Sequence, residues 1–197
     1  MRAGAALAAI AIVMLVTGCG RAQREHVSLP QPLFFGHGPR YHRPAYGPAV
    51  ARRRPIGSLR CSAPPRRTRF LAHVEVVARG RVAIVPSGIG VAPPQVRRGA
   101  FVTGGRCEYP LRTHEPTGLI EVATPHAVRL GDLFRSWDQP LSQTRLLGFS
   151  GQVTAFVGTR RRRGDPRAIP LRRHTAITLE IGRTVPPRPR YAFPRLP

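Results

Sequence analysis

The chain has 197 residues, which is enough for one domain of ordinary size with appendages. Its 32 basic residues are all arginine, and only nine acidic residues offset them, so the formal net charge is +23. Such a surface attracts anionic lipid headgroups or wall polymers. Nucleic acid is the other common partner of a basic chain, but the N-terminus argues against it.

The first twenty residues have the pattern of a secretory signal: one arginine, an apolar run from Ala3 to Val16, and small residues. The run is shorter than the roughly 20 residues that a membrane-spanning helix needs. The four residues that end at Cys19 resemble the bacterial lipobox, whose cysteine is acylated. We therefore predict a signal peptide with a lipobox at 1–18, a lipid anchor on Cys19 and a place on the extracytoplasmic face of the cell membrane. An ordinary signal peptide with a chance cysteine is the alternative.

The segment 19–68 is rich in proline, glycine and arginine and shows almost no apolar periodicity. A segment of this composition cannot bury enough apolar surface to offset the entropy of ordering. It is predicted to be a disordered tether that lifts a folded domain away from the membrane.

Two further cysteines, Cys61 and Cys107, remain after the proposed anchor. Exported proteins mature in an oxidising space, where a remaining pair usually bonds. A disulfide between them is predicted, and two free thiols are the alternative.

The folded part is predicted to begin near Arg69. Residues 70–78 alternate as in a strand, Arg79-Gly80-Arg81 makes a turn, and 82–85 return as a second strand. Residues 92–105 are predicted to be a loop.

After this loop, apolar residues at 130, 133, 134 and 137 have the spacing of one helical face, and Pro140 ends the helix. An exposed, arginine-rich hairpin tip is expected at 158–166. Further strands are predicted at 119–123, 128–130, 153–157, 168–171 and 176–181.

This order of elements favours a small, compact α+β domain at 69–184 that is mostly β, with one short helix. The sheet is expected to resemble a β-grasp, and a β-sandwich is the alternative. Residues 185–197 form a proline-rich segment that is predicted to lie extended along the surface.

Several stretches between Cys61 and Pro194 resemble an uncharacterised family of secreted or membrane-anchored proteins that is common in actinobacteria. The resemblance implies an extracytoplasmic domain but supplies no function. The stretches that carry it are 86–91, 107–122 with its Cys-x-Tyr-Pro-Leu and Thr-His-acid elements, 130–141 with its Leu-Gly-x-Leu-Phe-x-x-Trp element, and 164–171.

The resemblance also implies a metal site, because family members carry alternating histidines in the first strand and a His-x-His-acid element in the central stretch. Alternate residues of a strand share a face, so such imidazoles converge. Here His73 and His114 remain, and Glu121 offers an oxygen, a set that suits Zn²⁺ or Cu²⁺. Ordinary hydrogen-bonded side chains are the alternative. Other residues replace family ligands at Arg69, Leu71 and Arg112.

No nucleophile in the sequence has a base and an orienting group in a recognisable pattern. The chain is therefore predicted not to be an enzyme. It is read as a cell-envelope lipoprotein whose domain is a binding or interaction module with an unidentified protein partner. A metal-binding or metal-handling envelope domain is the alternative function.

Overall fold

The computed structural model describes residues 46–63, 67–182 and 191–196. The predicted signal peptide, Cys19 and the tether residues up to 45 and at 64–66 lie outside the described residues, as do 183–184 of the predicted domain and 185–190 and 197 of the tail. The predicted α+β class is confirmed: the domain is mostly β, with a small sheet and one short helix of two turns. Among the described helices, none is long and apolar enough to cross a membrane.

Thirteen strands and two α-helices are assigned in the described ranges. In chain order they are α1 (Pro48–Ala51), β1 (Phe70–Ala78), β2 (Arg81–Ala83), β3 (Val96–Arg98), β4 (Phe101–Gly104), β5 (Leu111–Arg112), β6 (Leu119–Val122), β7 (Val128–Arg129), α2 (Leu130–Trp137), β8 (Arg145–Leu146), β9 (Phe149–Ser150), β10 (Val153–Val157), β11 (Arg160–Arg162), β12 (Pro170–Leu171) and β13 (Thr175–Ile181). A 3₁₀ turn at Pro166–Ala168 precedes β12.

Strand β1 is the centre of a seven-stranded mixed sheet with the order β11-β10-β13-β1-β6-β5. It pairs in parallel with β13 along one edge, and antiparallel with β6 and β2 along the other. The first half of β1 pairs with β6, where Leu71 lies opposite Glu121, and the second half pairs with β2. The most hydrogen-bonded strand is therefore also the one with the clearest alternation in the sequence.

One face of this sheet meets the helix in the hydrophobic core. Ala72, Val74, Val76 and Ala78 of β1 are all nearly inaccessible to solvent and belong to the same buried cluster as the apolar face of α2. Because alternate strand residues share a face, His73 and Glu75 are directed to the opposite face. The predicted helical spacing is confirmed in Leu130, Leu133, Phe134 and Trp137, which are buried.

The ends of α2 follow from local chemistry. Asp132 in its first turn accepts a hydrogen bond from the backbone N–H of Arg129 at 2.8 Å, where a negative charge also suits the helix dipole. The helix ends at Trp137, and Asp138 adopts the left-handed conformation with φ of 60°. The chain then leaves before Pro140, as the sequence predicted.

The predicted tether is wrong for residues 46–63, which pack against the domain. Val50, Ile56 and Leu59 are buried, and the hydroxyl of the fully buried Tyr109 donates a hydrogen bond to the carbonyl of Arg54. Val50, Ile56 and Leu59 belong to the same buried cluster as β1 and α2, and near the end of the segment Cys61 is covalently linked to Cys107. The sequence hid this packing because three apolar residues without helical or strand periodicity give no recognisable pattern.

Short hairpins account for the other differences from the sequence prediction. Residues 92–105, predicted as a loop, contain the β3–β4 hairpin, and a second small hairpin joins β8 to β9. The arginine run at 160–162 is an edge strand paired with β10 and remains exposed as predicted. The strands of these hairpins have only two to four residues, which leaves too short a pattern in the sequence to be recognised.

Candidate functional site

Two of the three buried charged residues of the described ranges, Glu108 and Arg112, lie in the stretch that joins the disulfide to strand β6. Cys61 and Cys107 form the predicted disulfide, with 5.6 Å between their Cα atoms. Next to it, Glu108 exchanges backbone hydrogen bonds with Ser62 at 2.9 and 3.0 Å. The disulfide and this backbone pair together fix the start of the stretch.

The end of the stretch is fixed by the turn into β6. Gly118 has a φ of 80°, and a Cβ atom there would lie only 2.2 Å from the carbonyl oxygen of Val74. Only glycine fits such a close approach without strain. The turn positions Glu121 on β6 directly opposite Arg112 on β5.

Arg112 is the centre of a charge cluster that we define by Glu108, Arg112, His114 and Glu121. Its Nε lies 3.0 Å from Glu108 Oε2, and its Nη2 lies 3.1 Å from Glu121 Oε2. Only 3% of the Arg112 side chain and 4% of the Glu108 side chain are exposed. A buried guanidinium between two carboxylates is stable only because both partners compensate its lost hydration.

His114 closes the cluster from the solvent side. Its Nδ1 donates to Glu121 Oε1 at 2.8 Å, and its Nε2 lies 3.5 Å from Glu108 Oε1. Burial alone lowers the pKa of His114, but the hydrogen bonds and charges of the two carboxylates outweigh it and raise the pKa to about 9. The imidazole is therefore a cation at neutral pH.

Glu121 is held as an anion for the complementary reason. Burial raises its pKa, but the hydrogen bond and charge of His114, the Thr68 hydroxyl at 2.7 Å and the Arg112 charge lower it to about 2. The cluster thus contains two anions and two cations and is neutral as a whole. General acid–base catalysis needs a group that titrates near the working pH, and these shifts move His114 and Glu121 away from it.

The predicted metal ligands are only partly brought together. His114 and Glu121 are in contact, but His73 donates from Nε2 to the carbonyl of Thr117 at 3.0 Å. The His73 ring also stacks on Tyr191, with 3.8 Å between ring centroids. Across the described ranges, no group of three His, Cys, Asp or Glu residues is arranged to hold a metal ion. The three-ligand set is thus not assembled.

Arg112 is a further obstacle to a metal ion beside His114 and Glu121. Its guanidinium lies between the carboxylates of Glu108 and Glu121, the place where a metal cation would have to bind them. A fixed positive charge already neutralises both oxygens, so a divalent ion would have to displace it. The alternative of ordinary hydrogen-bonded histidines therefore describes His73 and His114 better.

The sequence interpretation missed Glu108, Arg112 and Thr68 as partners in this cluster. A signal was present, because three of the nine acidic residues fall in 105–122 together with two arginines, Arg106 and Arg112. The pattern could not show which acids would meet Arg112, because Glu121 reaches it only through the pairing of β5 with β6. The third acid, Glu115, instead accepts a hydrogen bond from the hydroxyl of Thr117 at 2.6 Å.

Outside the cluster, the charge of the domain is directed to solvent. Every other arginine in the described ranges is exposed. Arg67, Arg69 and Arg173 line one surface depression, where the guanidinium of Arg173 donates to the carbonyl of Arg69 at 2.7 Å. Guanidinium groups at this surface are therefore available to donate hydrogen bonds to an anion.

Comparison with known proteins finds no matching family model, no matching curated protein and no matching solved structure. The resemblance to an actinobacterial envelope family therefore stays a prediction from the motifs.

Proposed function

We propose that this protein is a lipid-anchored cell-envelope protein whose domain is a binding module for an anionic component of the envelope. The anchor is Cys19, and the domain faces the outside of the membrane. The module is not an enzyme, and it acts by holding a partner at the membrane surface.

The observation that carries the proposal is the division of the arginines between interior and surface. One arginine of the described ranges, Arg112, is buried and compensated, while the others are exposed. Some exposed arginines have acidic neighbours, such as Arg135 with Asp132 and Arg167 with Asp165. Eight acids cannot neutralise the surface of the described ranges, so an anionic lipid or wall polymer is the partner that the charge favours.

Two further features support an extracytoplasmic location. The Cys61–Cys107 disulfide joins residues 46 positions apart and is typical of proteins that mature in an oxidising space. The secretory pattern and the lipobox-like end of residues 1–18 indicate the same route.

The anchor is tested by the substitution Cys19→Ala in cells grown with radiolabelled palmitate. The unsubstituted chain should carry the label and fractionate with membranes, because acyl chains add about 0.8 kcal/mol of membrane affinity per buried methylene. The Cys19→Ala chain should lose the label and pass into the medium.

A high-salt wash separates the anchor from surface charge. Salt screens the attraction between arginines and lipid headgroups but leaves an acyl anchor in place. Membrane fractionation of the Cys19→Ala chain that survives this wash would refute the proposed anchor.

A further inference from the structure

The β3–β4 hairpin, residues 96–104, exposes apolar side chains that a folded domain usually buries. Of the three large hydrophobic residues that are exposed in the described ranges, two lie on it: Val96 is 59% and Phe101 is 51% exposed. Single exposed hydrophobic residues need no explanation. Two in one short hairpin, with Phe101 at the first position after the turn, indicate a surface that contacts something apolar.

Arginines accompany these apolar residues. Arg98 pairs with Phe101 across the hairpin, and Arg97 precedes it; both are exposed. No acidic residue occurs between Glu75 and Glu108 in the sequence, so no acid on the hairpin itself offsets them. Aromatic rings among arginines suit the boundary of an anionic bilayer, where the ring enters the acyl region and the guanidinium contacts phosphate.

Side-chain hydrogen bonds hold the hairpin in a fixed position on the domain. The buried hydroxyl of Ser87 donates to the carbonyl of Ala100, at the turn, at 2.6 Å. The side chain of Gln95, just before β3, donates to the carbonyls of Gly88 and Val91 at 3.0 and 2.9 Å. These bonds fix both the turn and the base, so the exposed tip is preorganised for contact.

The inner side of the hairpin ties it to the charge cluster. Val102 is fully buried, and its backbone N–H donates to the carbonyl of His114 at 2.9 Å. Phe101, the preceding residue, must then point outward, because successive strand residues alternate in direction. Its exposure is thus imposed by the packing of its neighbour.

We propose that the β3–β4 hairpin docks on an anionic phospholipid bilayer, with Phe101 and Val96 entering the interface and Arg97 and Arg98 contacting headgroup phosphates. This inference rests on the proposed function and names its partner: the membrane that carries the anchor. A second contact of this kind would hold the domain against the membrane instead of leaving it free at the end of its N-terminal segment.

The test is a depth measurement on the full chain in lipid vesicles. Phe101→Trp places a reporter at the tip, while the natural Trp137, which is 2% exposed in the core, gives a constant background. With brominated phosphatidylglycerol in the vesicles, emission from position 101 should be quenched and shifted to shorter wavelength. Val82→Trp is the matched control, because Val82 is also exposed, at 38%, but lies on β2.

The arginines have a separate effect in the same assay. Arg97→Gln with Arg98→Gln should weaken docking about fivefold per arginine, because each basic residue near an anionic surface contributes roughly 1 kcal/mol. Vesicles of brominated phosphatidylcholine alone should give little quenching at position 101.

Quenching at position 101 no greater than at position 82, or equal quenching in the two lipids, would overturn the docking inference. The anchor is judged separately by palmitate labelling and fractionation of the Cys19→Ala chain. A chain that is labelled at Cys19 but shows no quenching at position 101 therefore refutes docking and leaves the proposed anchor intact.

Discussion

The charge cluster and the β3–β4 hairpin are neighbours joined by the Val102–His114 hydrogen bond, yet they use arginine in opposite ways. Arg112 in the cluster is 3% exposed and lies between two carboxylates. Arg98 at the hairpin tip is exposed beside an exposed phenylalanine. Residue type alone therefore does not assign a role; burial together with an acidic partner does.

The difference separates two roles of positive charge in this domain, one in its interior and one at its surface. Charges that are compensated inside the domain leave little attraction for an outside ligand, and removing one partner of such a pair destabilises the fold. Charges that face solvent without a nearby acid add little stability but determine what approaches the surface. The predictions below test the interior role, and the last measurement tests the surface role.

The largest effect is expected from Arg112→Gln. The change leaves Glu108, which is 4% exposed, with His114 Nε2 at 3.5 Å as its remaining cationic partner in the described ranges. Breaking a buried ion pair from one side costs about 3–5 kcal/mol. Urea unfolding should show this loss in the free energy of unfolding, measured with the disulfide intact.

Arg135→Gln is the matched control for that substitution. Arg135 pairs with Asp132 on the surface of α2 and is 63% exposed. An exposed pair contributes only about 0–1 kcal/mol. Equal losses for Arg112→Gln and Arg135→Gln would contradict the distinction between interior and surface arginines.

The disulfide beside the cluster should have the next largest effect. Cys61→Ser with Cys107→Ser removes a link across 46 positions, which in the chain-entropy model lowers the free energy of unfolding by roughly 3–4 kcal/mol. The loss should vanish when both chains are compared under reducing conditions. A loss that persists after reduction would assign the effect to packing instead.

The pH dependence of stability should show the charge of His114. Its pKa is about 9 in the folded chain against 6.5 without the cluster, so its contribution is complete below 6.5 and is lost as the pH rises through 9. Glu121, lowered to about 2, contributes above its ordinary 4.5 and loses this as the pH falls. Both shifts report one interaction, so stability should be greatest between these limits.

Urea unfolding at several pH values measures this profile. The alkaline loss should be roughly 2–3 kcal/mol, given 1.36 kcal/mol for each unit of pKa shift and some screening by solvent. His114→Gln should flatten the alkaline side, because it removes the imidazole whose pKa the cluster raises to about 9. An unchanged alkaline slope in this variant would show that His114 is not the titrating group.

Much of the fold could be predicted from the sequence where the pattern is long. Strand β1 was predicted from the alternation in residues 70–78, and α2 from the spacing of Leu133, Phe134 and Trp137. In both elements the apolar residues of the buried face recur at a regular interval along the sequence. The hairpins at 96–104 and 145–150 were missed because their strands are too short to repeat.

The candidate site was predicted only in part for a different reason. His114 and Glu121 were identified by residue type, and the disulfide by the cysteine count, since both signals are local. The ion pair between Arg112 and Glu121 depends on the pairing of β5 with β6, and the burial of 46–63 depends on a hydrophobic cluster formed by residues distant in the sequence. Such contacts are properties of the fold, and the chain pattern does not contain them.

The most direct test of the surface role is photo-crosslinking in intact cells from a photoreactive residue that replaces Phe101, with Val82 replaced in a parallel chain. The account predicts lipid adducts at position 101 and few at position 82, with the protein anchored through Cys19. Adducts at position 101 that contain only protein, or lipid adducts that are equal at both positions, would contradict it.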